Sequence, residues 1–256
     1  MIHPTAIVDA AAEIAADVKI GPYTIIGPGV VIEAGCVIGP HAVLRGQTRI
    51  GAGTRIFQFA SVGEDPQDKK YAGEETALVI GQRNVIREYA TVHRGTAQDK
   101  GETRIGDDNL LMAYTHVAHD CVIGNHVIMA NAASLGGHVE VQDWAILGGF
   151  SIVHQFCQIG AHSFSAMGSV IAKDVPPYVT IGGHPAVPRG INTEGLKRRQ
   201  FSPETIAALR RAYRLLYLGN LSLVDAVASI RELAESEPEL TRFADFLADS
   251  NRSIVR

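Results

Sequence analysis

An aliphatic side chain returns at every sixth position along most of this sequence, and few folds accept so short a period. From Ile105 the beat passes through Leu111, Val117, Ile123, Met129, Leu135, Val141, Leu147, Val153 and Ile159; Ser165 misses it and Ile171 resumes it. Upstream it runs unbroken through Ile2, Val8, Ile14, Ile20, Ile26, Ile32, Ile38, Leu44, Ile50, Ile56 and Val62. A glycine often follows the aliphatic, as at Gly106, Gly124, Gly136, Gly148 and Gly160. A fixed period marks a repeat architecture, and six-residue repeats belong to parallel β-helices. Six residues hold one short strand and a tight corner, too few for a strand and a helix. Three such units close one triangular coil, with one aliphatic per side pointing inward. Successive coils pair as parallel strands about 4.8 Å apart, so position i lies below position i+18.

This geometry places the histidines. Dividing position by 18 leaves 8 for His116, 11 for His119, 12 for His138 and 10 for His154, against 9 for the inward Val117, Leu135 and Val153. Four imidazoles from three coils thus share one edge of the prism. Gly137 also has remainder 11, so it stacks beside His119 one coil away. Glycine there leaves an open backbone N–H next to an imidazole, an arrangement suited to a general base beside an oxyanion donor. The stretch Thr115 to Cys121 is therefore where chemistry is expected. A lone histidine on a solenoid surface usually does nothing, which is the plain reading of His126 and His162. His116 and His119 have the spacing of an H-x-x-H metal pair, but no carboxylate or Cys stands at ligand spacing, and no metal is expected.

The 256 residues are 46% hydrophobic but only 6% aromatic, as a core of stacked Ile, Val and Leu requires. A net charge of −4 gives no global case for nucleic acid. With no leader-like segment and no long apolar run, a cytoplasmic protein without an integral membrane segment is expected. Cys36, Cys121 and Cys157 lack C-x-x-C spacing. Cys121 and Cys157 fall two coils apart, beyond disulfide reach, so reduced thiols are expected.

Two polar stretches break the beat. GEDPQDKKYAGEET follows Val62, and the beat resumes in frame at Ile80, as though one coil's worth of chain had become polar. RGTAQDKGET lies between Val92 and Ile105, whose spacing exceeds two repeats by one and so shifts the frame. Both read as loops leaving the prism, at 63–78 and 94–104, and Asp68 and Lys70 on the first are candidates for gripping a polar ligand. DVPPYV and the glycines after it end the solenoid, and Pro188 to Lys197 reads as a linker. Ser202-Pro203-Glu204 then opens a helix ending near Gly219. Val224 to Leu233 gives a second helix and Leu240 to Leu247 a third. The expected fold is all-β with a small α domain: a parallel β-helix over 1–187 and a C-terminal helical domain over 188–256 that covers the solenoid end. Arg189, Lys197, Arg198, Arg199, Arg210, Arg211 and Arg214 form a local basic patch fit for phosphates or an acidic partner.

The ordered motifs QDKKYAGE, TVHRGT, LLMAYTHVAHDC, GGHV, VHQFC, DVPPYV and INTEGLKRR span the whole chain. Together they resemble the UDP-N-acetylglucosamine O-acyltransferases of lipid A biosynthesis, trimeric hexapeptide-repeat enzymes. The resemblance implies a left-handed winding of the coils. It also implies transfer of a 3-hydroxyacyl chain from acyl carrier protein to the glucosamine 3-hydroxyl of UDP-N-acetylglucosamine, the first step of that pathway. The acyl chain arrives on the carrier's phosphopantetheine and no cofactor of the enzyme's own is implied. His119 matches the general base and Gly137 the oxyanion donor. Asp120 matches the acidic residue that assists the base, although neighbouring side chains on a strand normally diverge. Asp68, Lys70 and His93 match sugar-nucleotide or acyl-pocket contacts, and His116, His138, His154 and Gln155 the site lining. Asn192, Glu194, Arg198 and Arg199 match the nucleotide end. The family's cleft lies between subunits of a homotrimer, and the basic patch fits the acidic acyl carrier protein.

One position departs from the commoner pattern. Members taking long chains have Gly where this sequence has Met167, at the far end of the acyl groove. A Met there fills space several methylenes long, which implies a preference for 3-hydroxydecanoyl over 3-hydroxytetradecanoyl. A neighbour that had shrunk to compensate would leave the length unchanged. Three other readings stay open: a hexapeptide-repeat transferase using a coenzyme A thioester, a zinc-dependent solenoid of the γ-carbonic-anhydrase kind, and a non-catalytic scaffold. The sister enzyme that N-acylates carries an extra N-terminal domain, whereas here the repeats begin at Ile2.

Overall fold

The computed structural model describes residues 1–234, 237–250 and 253–256. Its short strands build three sheets of nine, eight and ten strands, parallel except for the last strand of the ten, and each coil gives one strand to each sheet in turn. The register advances by one full coil per strand where the repeat is regular: His116 pairs with Ser134, and Ser134 with Ile152. The residue after each strand's outward member turns inward, so the beat residues form the core. Ile50, Val62, Ile86, Leu111 and Val117 are all fully buried, each contributing about 1.5–3 kcal/mol relative to exposure. Ser165, the missed beat, stays inside by sharing a hydrogen bond with Ser151 Oγ at 2.8 Å and accepting the Gly148 N–H at 3.1 Å. The three cysteines are buried and free, and burial pushes the Cys121 thiol up to about 12.

The corners carry a second period. Many corner residues take a left-handed backbone, among them Tyr114 at φ 63°, Asp120 at 60° and His126 at 56°. On the edge between the ten- and nine-stranded sheets, Tyr23, His41, Phe59, Tyr89 and Tyr114 stack with centroids 4.8–5.2 Å apart. On the edge between the eight- and ten-stranded sheets, His126, Trp144, His162 and Tyr178 also stack, with centroids 4.0–6.3 Å apart.

The two excursions differ from the expected loops in extent. Strands Ser61–Glu64, Ala77–Ile80 and Glu102–Ile105 run longer than the regular ones, so the chain is out of the sheets only over 65–76 and 94–101. Nor does the first excursion replace a coil. Ile80 stacks on Ile50, and Val62 on Leu44 and Val92, so Val62 and Ile80 are on consecutive sides. The spacing of Val62 and Ile80 happens to equal one coil length and conceals an insertion at the corner between those sides.

The stretch that reads as a linker is ordered structure. Val187–Ile191 forms an antiparallel strand on Val179–Gly182, and α1 (Thr193–Arg198) follows, capped by Asn192, whose Oδ1 accepts the Gly195 N–H at 3.1 Å. Helices α2 (Pro203–Tyr217), α3 (Leu223–Ala234) and α4 (Pro238–Asp249) come next. Ser202 caps α2 by accepting the Thr205 N–H at 3.1 Å. Their apolar faces meet through Ile206, Leu209, Leu216, Ile230, Leu240, Phe243 and Leu247. Tyr178 joins this core to the solenoid: it is buried, stacks near Phe243 and donates its hydroxyl to Glu239. No helix among the described residues is long and apolar enough to cross a membrane.

Candidate active site

The edge between the nine- and eight-stranded sheets holds His116, His119 and His138, which His93 joins in two edge-to-face pairs. His93 meets His116 with centroids 5.3 Å apart, and His119 meets His138 at 5.0 Å. His119 Nδ1 bonds Asp120 Oδ2 at 2.8 Å. The two side chains meet because residue 120 is a corner: its φ of 60° folds the carboxylate back beside the ring, where a strand would have parted them. A carboxylate accepts, so the tautomer of the neutral ring that fits this contact has its proton on Nδ1 and its lone pair on Nε2.

Gly137 lies against that ring. A Cβ there would sit 2.6 Å from His119 Cε1 and 2.8 Å from Nε2, so no other residue fits without moving the imidazole. Among the described residues no group accepts the Gly137 N–H. His138 stacks flat on Phe156 at 4.3 Å, and its Nδ1 bonds Asp99 Oδ2 at 2.7 Å. His119, Asp120 and His138 each offer a ligand atom within 4.8 Å of the others. Among the described residues this group of three includes His119 but not His116, its partner at H-x-x-H spacing.

His93 and His116 are held neutral. Burial lowers His93, whose Nδ1 donates to the Asp65 carbonyl at 2.6 Å. Burial, helped by His93 and His119 nearby, lowers His116 to about 4, and its Nδ1 shares a hydrogen bond with Thr91 Oγ at 2.7 Å. Asp68 and Lys70, from the first excursion, line a cleft of about 590 Å³ with Thr96, Asp120, His138 and Phe156. His154 is exposed one coil beyond, with Nδ1 against the Gln155 carbonyl at 3.1 Å, and a Cβ on Gly136 would meet Gln155 N at 2.8 Å.

The family model described as UDP N-acetylglucosamine O-acyltransferase, domain 2, matches residues 174–255, and that of the bacterial transferase hexapeptide matches 1–34 and 102–137. The acyl-[acyl-carrier-protein]–UDP-N-acetylglucosamine O-acyltransferase of Stutzerimonas stutzeri is 55% identical, covering all of this chain and 99% of its own. The chain belongs to the UDP-N-acetylglucosamine O-acyltransferase family. Solved structures agree. LpxA from Acinetobacter baumannii superposes with a TM-score of 0.97 at 52% identity, covering 100% of this chain and 99% of that one. The UDP-N-acetylglucosamine acyltransferase of Bacteroides fragilis gives 0.97 at 39%, with both chains fully covered.

Other residues expected for this family's site lie elsewhere in the chain. Asn192, Glu194, Arg198 and Arg199 gather on the Trp144 edge, a different corner of the prism from His119. Asn192 Nδ2 donates to the His162 carbonyl at 3.0 Å, and Glu194 pairs with Lys197 at 3.0 Å. Arg199 lies over the Trp144 ring at 5.0 Å and donates through Nη2 to the Trp144 carbonyl at 3.0 Å. Met167 is 77% exposed near the third corner, with exposed Phe150 and Ile152 on the same side of the solenoid. The side between Met167 and His119 is the nine-stranded sheet, whose outward residues here are His116, Ser134, Ile152 and Val170. Several groups touching the site escape the sequence reading, Thr96 and Asp99 among them. These two sit on an excursion without any period, where only their polar side chains mark them.

Proposed function

We propose that this chain transfers a 3-hydroxyacyl group from acyl carrier protein to the glucosamine 3-hydroxyl of UDP-N-acetylglucosamine, with His119 as general base. The observation that carries the reading is the His119–Asp120 pair at 2.8 Å with Nε2 beside Gly137. His119 Nε2 takes the hydroxyl proton as that oxygen attacks the thioester carbonyl. The Gly137 N–H donates to the resulting oxyanion, a contribution worth roughly 10²–10³ in rate. Collapse expels the phosphopantetheine thiolate, which recovers the proton from the imidazolium. The step is complete with the chain's own groups, so no metal is invoked and chelators should leave turnover unchanged.

The Asn192–Arg199 cluster occupies a different edge from His119, which supports a cleft completed by a second copy, as in a homotrimer. Exposed Arg210, Arg211 and Arg214 on α2 border a shallow groove with Ile191 and Thr193, suited to the acidic carrier protein. The exposed apolar side chains of Phe150, Ile152 and Met167 support a groove for the acyl chain, with the Met167 side chain shortening it to favour 3-hydroxydecanoyl. Turnover with a ladder of 3-hydroxyacyl carrier proteins tests the reaction, the base and the Met167 ruler together. Wild type should peak at the decanoyl donor, H119A should lose at least about 10² in kcat, and M167G should move the peak to longer chains. An unchanged peak in M167G removes the ruler, and turnover with coenzyme A thioesters alone replaces the donor.

A further inference from the structure

The second excursion leaves the solenoid only to return to the His119 dyad. Thr96 gives Asp120 two hydrogen bonds, from its backbone N–H to Oδ1 at 2.9 Å and from its hydroxyl to Oδ2 at 2.6 Å. Oδ2 is the oxygen that also accepts from His119 Nδ1. Thr103, where the excursion re-enters the sheet, accepts the Asp120 N–H through its hydroxyl at 2.8 Å. Thr96, Thr103 and Asp120 are each no more than 1% exposed, so water does not compete for these bonds.

A carboxylate attached through a single bond turns over a broad, shallow torsional well. One contact to His119 would leave its plane free, and the imidazole would wander with it. Donors from one residue to both oxygens remove that freedom. We infer that Thr96 is a positioning residue that fixes the Asp120 carboxylate plane and, through it, the aim of His119 Nε2. The inference rests on His119 being the base. It gives the 94–101 excursion a task that the hexapeptide corner cannot perform alone: the corner delivers Asp120 to the ring, and the excursion holds its orientation.

Thr96→Val keeps the shape and the backbone donor but removes the hydroxyl. Its kcat should fall roughly 10- to 100-fold with KM for both substrates unchanged, while Thr96→Ser stays near wild type. The downfield Nδ1–H proton resonance of His119 should broaden or vanish in T96V and persist in T96S. Combined with Asp120→Asn, T96V should cause no further loss, because both act through the same carboxylate. Additive losses in that cycle, or a T96V with wild-type kcat and an intact resonance, overturn the inference. Should the valine prevent folding, Thr96→Ala takes its place in the same cycle. H119A is measured alongside. Full activity there removes the base and this inference with it, whereas an inactive H119A beside an unimpaired T96V removes this inference alone.

Discussion

At position 137 the solenoid brings backbone and imidazole so close that even a methyl group displaces the ring. Gly137→Ala should therefore lower kcat by about 10²-fold, as sub-ångström misplacement of a reacting group does, while the protein still melts cooperatively. Gly149→Ala is the matched control, since its Cβ would meet only the Asn131 carbonyl at 3.4 Å. Equal losses in the two would mean that glycine matters there for the backbone and not for His119. The stacking of Gly137 on His119 is legible in the sequence because it follows from a shared remainder. The Asp120 contact comes only through the family resemblance, because a six-residue period says where a corner falls but not that its φ is 60°. Thr96 and Asp99 are further out of reach: they approach from a stretch that obeys no period, so counting cannot place them.

Each corner row behaves as an element in its own right, assembled from residues far apart in sequence. Tyr89 stands between Phe59 at 5.1 Å and Tyr114 at 4.8 Å, whereas Tyr23 has one ring neighbour in its row, His41 at 5.1 Å. At about 0.5–1.5 kcal/mol per ring pair, Tyr89→Ala should cost about 1–3 kcal/mol in urea unfolding and Tyr23→Ala roughly half of that. Equal costs would show that the rings contribute only by covering surface. The strands themselves are plain from the beat, and so are α2, α3 and α4 from caps and helical spacing. The final strand and α1 are hidden because Val187-Pro-Arg-Gly-Ile191 shows neither period, and its pairing depends on a tertiary neighbour, Val179–Gly182. The first excursion misleads for a related reason: an insertion that preserves the count leaves no trace in it.

For the molecule as a whole, buried neutral histidines tie stability to pH. Burial lowers both His116 and His162 from the ordinary 6.5 to about 4. Between those values the unfolded chain binds protons that the folded chain refuses, so stability falls as pH falls from 6.5 towards 4 and levels off below for these groups. The urea midpoint should drop through that window, and less steeply in His162→Asn; identical slopes would mean that His162 titrates as it does in the unfolded chain. Sedimentation of the full chain tests the homotrimer, a monomer at assay concentration being the result that removes it. The Trp144 edge adds one more consequence. The sequence has a single tryptophan, and it is clamped between His126 at 4.0 Å and the Arg199 guanidinium at 5.0 Å. Its fluorescence therefore reports on one corner only. Any occupant that draws Arg199 off the indole should change the emission, giving an unlabelled optical titration of that corner.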